Sequence, residues 1–227
     1  MKKIPRFAEA AWVCGIVFCA FGVALTIKAD FGVSMIAAPP YILHLKIAEY
    51  FPSFTLGTAE YCFQGVLLLV MIAVVRRVRF KYFLCFATAV IYGKVLDLML
   101  FLLGGGDPFT SMPARIAAFA AGGVITSLAI AFFFRTYLPL QIYELFVTES
   151  AAVFKKPNEK VKYIFDAGCL ILSVTLTLVL FRGIEGIGIG TIILTLANAP
   201  IIALCGKLLD KCFDFSALSA KLQKKYQ

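Results

Sequence analysis

Long apolar stretches, each closed by a charged, glycine-rich or proline-rich break, set the pattern of this chain. Six of them, at 8–28, 57–76, 80–103, 113–134, 161–181 and 189–210, carry few charges. Each is long enough to cross the ~30 Å hydrocarbon core of a bilayer as an α-helix. Two weaker segments follow the first and the fourth of these stretches. The segment 33–50 contains Pro39-Pro40, His44, Lys46 and Glu49, and the segment 138–153 contains Pro139, Gln141, Glu144 and Glu149. Both are short and polar, so they either cross, giving eight crossings, or dip in and return, giving six.

Charge decides between these alternatives, because basic residues accumulate on the cytoplasmic side. With the N-terminus inside and six crossings, the cytoplasmic positions hold Lys2, Lys3, Arg6, the cluster Arg76, Arg77, Arg79 and Lys81, then Arg135, Lys155, Lys156, Lys160 and Lys162. They also hold Lys207, Lys211, Lys221, Lys224 and Lys225, and leave Lys28, Lys46, Lys94, Arg115 and Arg182 outside. Crossing by both weak segments would put the Arg76–Lys81 cluster outside. The expectation is therefore six membrane helices with both termini cytoplasmic.

A short motif occurs twice, as Gly93-Lys94-Val95-Leu96-Asp97 and as Gly206-Lys207-Leu208-Leu209-Asp210. A lysine and an aspartate three apart share a helix face and can pair. Charges are costly in such segments, so the recurrence points to duplication. Two weaker matches keep the same order: Lys28 to Val33 against Arg135 to Leu140, and Tyr61-x-Phe63-Gln64 against Tyr163-x-Phe165-Asp166. A division at Gly104-Gly105-Gly106-Asp107-Pro108 gives a first membrane repeat, 1–106, and a second, inverted one, 107–227. The fold expected is all-α: a polytopic membrane protein of six transmembrane helices in two inverted three-helix repeats, each with an extra short broken or re-entrant segment. Small transporters are built on this plan.

Composition agrees. The 227 residues are 61% hydrophobic and only 15% charged, and the mean hydropathy is +0.91, whereas soluble domains keep about a quarter of their residues charged. The formal net charge of +9 is explained by membrane orientation, so nucleic acid is not an expected partner. The N-terminus imitates a signal peptide, but the apolar run from Ala8 to Ile27 is too long and lacks a cleavage site, so it reads as the first membrane helix. The cysteines (Cys14, Cys19, Cys62, Cys85, Cys169, Cys205 and Cys212) lack metal-ligand spacing and read as small buried hydrophobes. His44 is the only histidine. No metal or cofactor is expected.

Thr26-Ile27-Lys28-Ala29-Asp30-Phe31-Gly32-Val33-Ser34, followed by Ala38-Pro39, resembles the first-repeat signature of the YczE/YyaS/YitT-like family of bacterial integral membrane proteins. Lys162-Tyr163-Ile164-Phe165-Asp166 and Gly188-Ile189-Gly190-Thr191 look like its second-half motifs, while Met35-Ile36 replaces the proline that many members carry after the serine. The resemblance implies a bacterial cytoplasmic membrane protein concerned with transport, and no particular substrate.

Six residues are candidates for contact with a solute: Asp30, Ser34, Gln64, Gln141, Glu144 and Asn198. A short helix starting near Ser34 would aim free N–H groups and a positive dipole end at an anionic group, although Ser34 can equally be a plain N-cap. Gln141 and Glu144 would form a polar lining opposite it, with Glu144 a carrier for a coupling proton. Asn198, near mid-membrane, serves either as glue between helices or as a ligand contact. Lys28, Asp166 and the two pairs Lys94/Asp97 and Lys207/Asp210 are candidate ion-coupling or charge-pair residues, the two pairs read first as anchors of equivalent helix ends. The string Gly186-Ile187-Gly188-Ile189-Gly190 joins two membrane helices and lacks the strand a nucleotide site needs. No nucleophile–base constellation appears, so an enzyme is not expected. The leading expectation is a small secondary transporter or permease in the bilayer, binding a small-molecule solute between the repeats and compatible with a homo-oligomer. A substrate-capture subunit and a non-transporting scaffold are the alternatives.

Overall fold

The computed structural model describes residues 7–104, 106 and 108–215. The terminal basic residues Lys2, Lys3, Arg6, Lys221, Lys224 and Lys225, and Gly105 and Asp107 of the expected linker, lie outside the described residues. Among the described residues there are eight helices: α1 (Ala8–Ala29), α2 (Ala38–Ala48), α3 (Leu56–Val75), α4 (Phe80–Leu102), α5 (Met112–Phe133), α6 (Ile142–Phe154), α7 (Asn158–Phe181) and α8 (Ile189–Cys212). All but α2 and α6 are long and apolar enough to cross a membrane. The protein is an all-α polytopic membrane protein, and its six long helices fall within a few residues of the predicted spans.

The short helices have 11 and 13 residues. At 1.5 Å per residue they reach about 16 and 20 Å, well short of a bilayer core. Their contacts fix their depth. The two ends of the described chain share one face, where Phe7 N–H donates to the Asp214 carbonyl at 3.1 Å and the Phe7 and Phe213 rings stack at 4.3 Å; this is the terminal face, and the other is the distal face. α5 reaches the terminal face at Arg135, and the chain then turns back into the bundle. Trp12 of α1 and Thr88 of α4 both donate to the Pro139 carbonyl, at 2.9 and 3.1 Å. Gln141, two residues further on, lies level with Gln64 in the middle of α3. α6 starts there and returns to the terminal face, where Glu149 meets Arg79, Lys81 and Tyr82 at the beginning of α4. This segment enters and leaves by the same face.

α2 does the same from the distal side. Asp30 ends α1 in the left-handed region (φ 56°), which aspartate tolerates better than most residues. The turn Ser34–Ala37 lies beside Val23, Thr126 and Asn198, below the distal helix ends. α2 then runs outward along Leu176, Leu180 and Phe181 of α7.

α1 and α5 form the central crossing. A Cβ on Gly22 would stand 2.7 Å from the Gly122 carbonyl oxygen, and one on Gly122 would stand 2.7 Å from that of Gly22. Only glycine lets these backbones touch, as is common where membrane helices meet. Around this crossing the contacts come in pairs: α1 packs on α4 and α5 on α8; α3 packs on α6 and α7 on α2; α2 packs on α3 and α6 on α7. Exchanging α1–α4 for α5–α8 maps each member of a pair onto the other. The close α3–α4 packing has no extensive counterpart between α7 and α8.

Candidate functional site

The deepest polar cluster surrounds the start of α6. A helix leaves its first N–H groups without partners, and in a membrane bundle no bulk water can take them. Here α3 supplies the cap. Gln64, fully buried, accepts from Ile142 N–H through Oε1 at 3.1 Å and donates from Nε2 to Gln141 Oε1 at 3.2 Å. One turn earlier on the same face of α3 stands Glu60, 2% exposed, whose Oε2 accepts from the Tyr143 hydroxyl at 2.9 Å. Glu144, in the first turn of α6, presents a buried Oε2 that no hydrogen bond reaches. Cys19 of α1 and Tyr92 of α4 close the cluster, the thiol contacting both the Tyr92 hydroxyl and Gln141. Two carboxyl groups, two amides and two phenols thus meet half-way through the bundle, and no lysine or arginine among the described residues bridges to either carboxyl there.

A cavity of about 300 Å³ opens on the distal face between the end of α1, the turn before α2 and the α7–α8 connection. Asp30, Tyr41 and Glu185 give it a polar, acidic wall; Thr26, Phe31 and Val33 line its floor. Thr26 and Val33 also border a second void beneath it, of about 10 Å³, walled by Ser34, Thr126 and Asn198. A void of that size holds roughly one water molecule. The Thr126 hydroxyl is buried without a partner beside it.

A profile of the family of unknown function DUF6198 matches residues 7–207. The chain belongs to this family. No curated protein and no solved structure matches it. The matched span runs from the residue before α1 into α8, so the DUF6198 region contains both half-helices and every residue of the polar cluster.

In this DUF6198 bundle the residues picked from sequence divide into three groups. Gln64, Gln141 and Glu144 come together at the start of α6, without Ser34, which the expected lining was to face. Asp30, Ser34 and Asn198 gather on the distal side, about the cavity and the void beneath it. Asn198 also accepts from Ser127 of α5 at 3.3 Å, which is helix-to-helix glue. The charge residues scatter. Asp97 does not pair with Lys94: it caps α3, accepting from Gly57 N–H at 2.7 Å and from Thr55 Oγ1 at 2.7 Å, while Lys94 lies over the Tyr61 ring. Asp210 is held by Arg135, in the turn just after α5, through two 2.6 Å hydrogen bonds, rather than by Lys207, which is exposed on its own helix. In both motifs the neighbouring helix offers a better donor than a lysine one turn away. Lys28 donates to the Gly106 carbonyl, and Asp30 pairs at 2.9 Å with Arg115 rather than with Lys28. Asp166 pairs with Lys162 at 3.3 Å on α7.

Two further sequence expectations are overturned. Ser34 neither starts nor caps α2: the helix begins at Ala38, after a turn in which Ala37 and Ala38 N–H both donate to the Ser34 carbonyl. Pro39 and Pro40 then occupy the first helical turn and have no N–H to offer, so no free amides face an anion there. The cysteines are not uniformly buried either, since Cys62 and Cys212 are exposed while Cys19, Cys85 and Cys169 lie inside. Glu60 and Tyr143 escaped the sequence reading. The available signal was the i, i+4 spacing of Glu60 and Gln64, which places a carboxyl and an amide on one face of an otherwise apolar helix.

Proposed function

We propose that the protein is a small secondary transporter or permease of the bacterial cytoplasmic membrane, with both termini cytoplasmic, in which a small-molecule solute passes between two inverted repeats. The observation that carries this reading is the start of α6, a half-membrane helix whose first turn ends among buried carboxyl and amide groups at mid-bundle. A purely structural bundle gains nothing from such an arrangement. Buried polar groups in a membrane are costly, and broken helices at this depth characterise substrate and ion sites. The paired helix contacts support the repeat division at 1–106 and 107–227, and the distal cavity supplies an approach on one side. The resemblance of Thr26–Ser34 to the YczE/YyaS/YitT-like proteins points the same way, and kinship with them is part of the proposal.

Screening the purified protein by thermal shift against a chemically broad set of small solutes tests it, because a bound solute stabilises the folded state. Solutes that stabilise are then offered to proteoliposomes. Wild-type protein should move at least one of them, and Gln141→Ala or Asn198→Ala should slow that movement while membrane insertion is retained. The reading falls if no solute both stabilises the protein and crosses.

A further inference from the structure

Among the polar groups of the bundle, Glu60 is the one whose surroundings demand an explanation. Its side chain is 2% exposed, sits five residues into α3, and meets no cation among the described residues. An ionised carboxylate in such a place costs several kcal/mol even after relaxation. A neutral carboxyl costs far less and still accepts from the Tyr143 hydroxyl. Tyr143 of α6 hydrogen-bonds it, and Cys19 of α1 and Tyr92 of α4 lie within electrostatic reach of both Glu60 and Glu144; Tyr143 in turn senses Cys169 of α7, and Glu144 the Asp166–Lys162 pair of α7. His44 of α2, which packs on the distal end of α3, is tied to the Phe54 carbonyl at 2.9 Å.

These groups form a series. Tyr143 and Glu144 are adjacent on α6. Glu144, with its unpartnered Oε2, lies within electrostatic reach of the Asp166–Lys162 pair. Lys162 is half exposed near the terminal-face end of α7. The series therefore runs from the middle of the bundle to water on one face.

We infer that Glu60 is a proton-binding site within the membrane, exchanging its proton with the terminal face by way of Glu144 and Asp166, and that the start of α6 shifts when the proton leaves. The step is simple: a proton from water binds a Glu60 carboxylate oxygen to give the neutral carboxyl, and its release restores the carboxylate. On ionisation the charge draws the Tyr143 hydroxyl and the Gln64 amide toward Glu60, at the expense of the bonds Gln64 makes to Gln141 and to Ile142 N–H. Assigning this proton to solute coupling rests on the transporter reading; the proton site does not.

The chain carries its own reporter. Trp12, the single tryptophan, donates to the Pro139 carbonyl two residues before Gln141. The experiment is a pH titration of the purified full-length protein, followed by Trp12 emission and by infrared difference spectra of the carboxyl C=O stretch. Wild type should show one transition in Trp12 emission, matched by loss of a neutral-carboxyl band. Glu60→Gln should abolish the Trp12 transition and the part of the band whose loss tracks it, while the buried carboxyl of Glu144 keeps its own band. Glu144→Gln should keep the band and slow its appearance after a pH jump. Tyr143→Phe, which leaves the carboxyl in place, should move the midpoint, so the inference stays testable if Glu60→Gln does not fold. A wild-type protein without the transition, a Trp12 transition that persists in Glu60→Gln, or a midpoint indifferent to Tyr143→Phe would overturn the inference. Failure of every solute to cross proteoliposomes, with the titration intact, would instead remove the transporter reading and leave the proton site standing.

Discussion

Replacing Gln64 by leucine is the sharpest test of the idea that the α6 start is held in place by α3. The volumes are similar, so the change removes hydrogen bonds and little packing. Wild-type Gln64 makes two bonds, to Ile142 N–H at 3.1 Å and to Gln141 Oε1 at 3.2 Å. Valued as average side-chain bonds between membrane helices, about 0.6 kcal/mol each, their loss would cost only about 1 kcal/mol. That figure assumes the abandoned partners find others. Here they do not: Ile142 is completely buried and Gln141 is 5% exposed. An orphaned buried polar group costs about 1–3 kcal/mol, so two of them give a loss of about 2–6 kcal/mol. The assay is reversible unfolding in mixed detergent followed by helicity, with Trp12 emission reporting on the loop that ends at Gln141. If Gln64→Leu lies within about 0.5 kcal/mol of wild type, the range of an ordinary surface change, and Trp12 emission is unaltered, then α6 is not anchored through Gln64 and the site has been built on the wrong contact.

Asp97→Ala leaves the Thr55 N-cap in place but strips Gly57 N–H and Thr55 Oγ1 of their acceptor, and an orphaned buried donor costs about 1–3 kcal/mol; a thermal unfolding curve should show a lower midpoint, with Lys94→Ala having little effect. Gly22→Val places a Cβ 2.7 Å from the Gly122 carbonyl, so the α1–α5 crossing must open; overpacking of this kind costs about 1–3 kcal/mol or more, readable as lower yield of monodisperse protein and a lower thermal midpoint. Glu149, at the terminal face, is pushed up by burial, but Lys81, Tyr82 and Arg79 outweigh this and hold its carboxyl below the usual range. The sign follows: a depressed folded-state value stabilises the protein above the ordinary carboxylate range, and that contribution is lost as pH falls through the depressed value. Thermal midpoints measured across that acidic range should fall in wild type and fall less in Glu149→Gln.

How much of this was legible beforehand depends on which physical signal carried it. The spans were readable because about 20 apolar residues in a row have few other uses. The re-entrant paths of the weak segments were readable only through charge: the Arg76–Lys81 cluster forbids crossing by both, and the contacts of Pro139, Gln141 and Glu149 show α6 starting and ending where that requires. The repeated Lys-x-x-Asp motif pointed to duplication, yet its own pairing was misjudged. An i, i+3 rule sees only one helix, whereas Asp97 and Asp210 are each claimed by a neighbouring one, through Gly57 N–H and Arg135. Glu60 was missed for a related reason. A single acid near the expected start of a span reads as interfacial, and only the offset between helices reveals otherwise: α3 begins level with Gly93, midway along α4, so its first turns are already deep.

That offset also explains why the two half-helices, alike in position, differ in chemistry. α2 enters through Pro39-Pro40, which have no N–H to present, and buries Val33, Ala38 and Ile42 in an apolar cluster. Its start needs no partner, so apart from Tyr41 the polar groups on its side lie off the helix, in the cavity wall and around the Ser34–Asn198 void. α6 enters through Gln141-Ile142-Tyr143-Glu144, with its N–H groups intact, and therefore has to be met by acceptors; α3 starts deep enough to bring Glu60 and Gln64 to them. A positive helix end stabilises a nearby carboxylate, while burial destabilises it. Glu60 is held between these opposed effects, and a small shift of α6 toward or away from it changes their balance. In the transporter we propose, the distal cavity would give a solute its approach and the α6 start a group whose charge responds to helix position, the division of labour a coupled carrier needs.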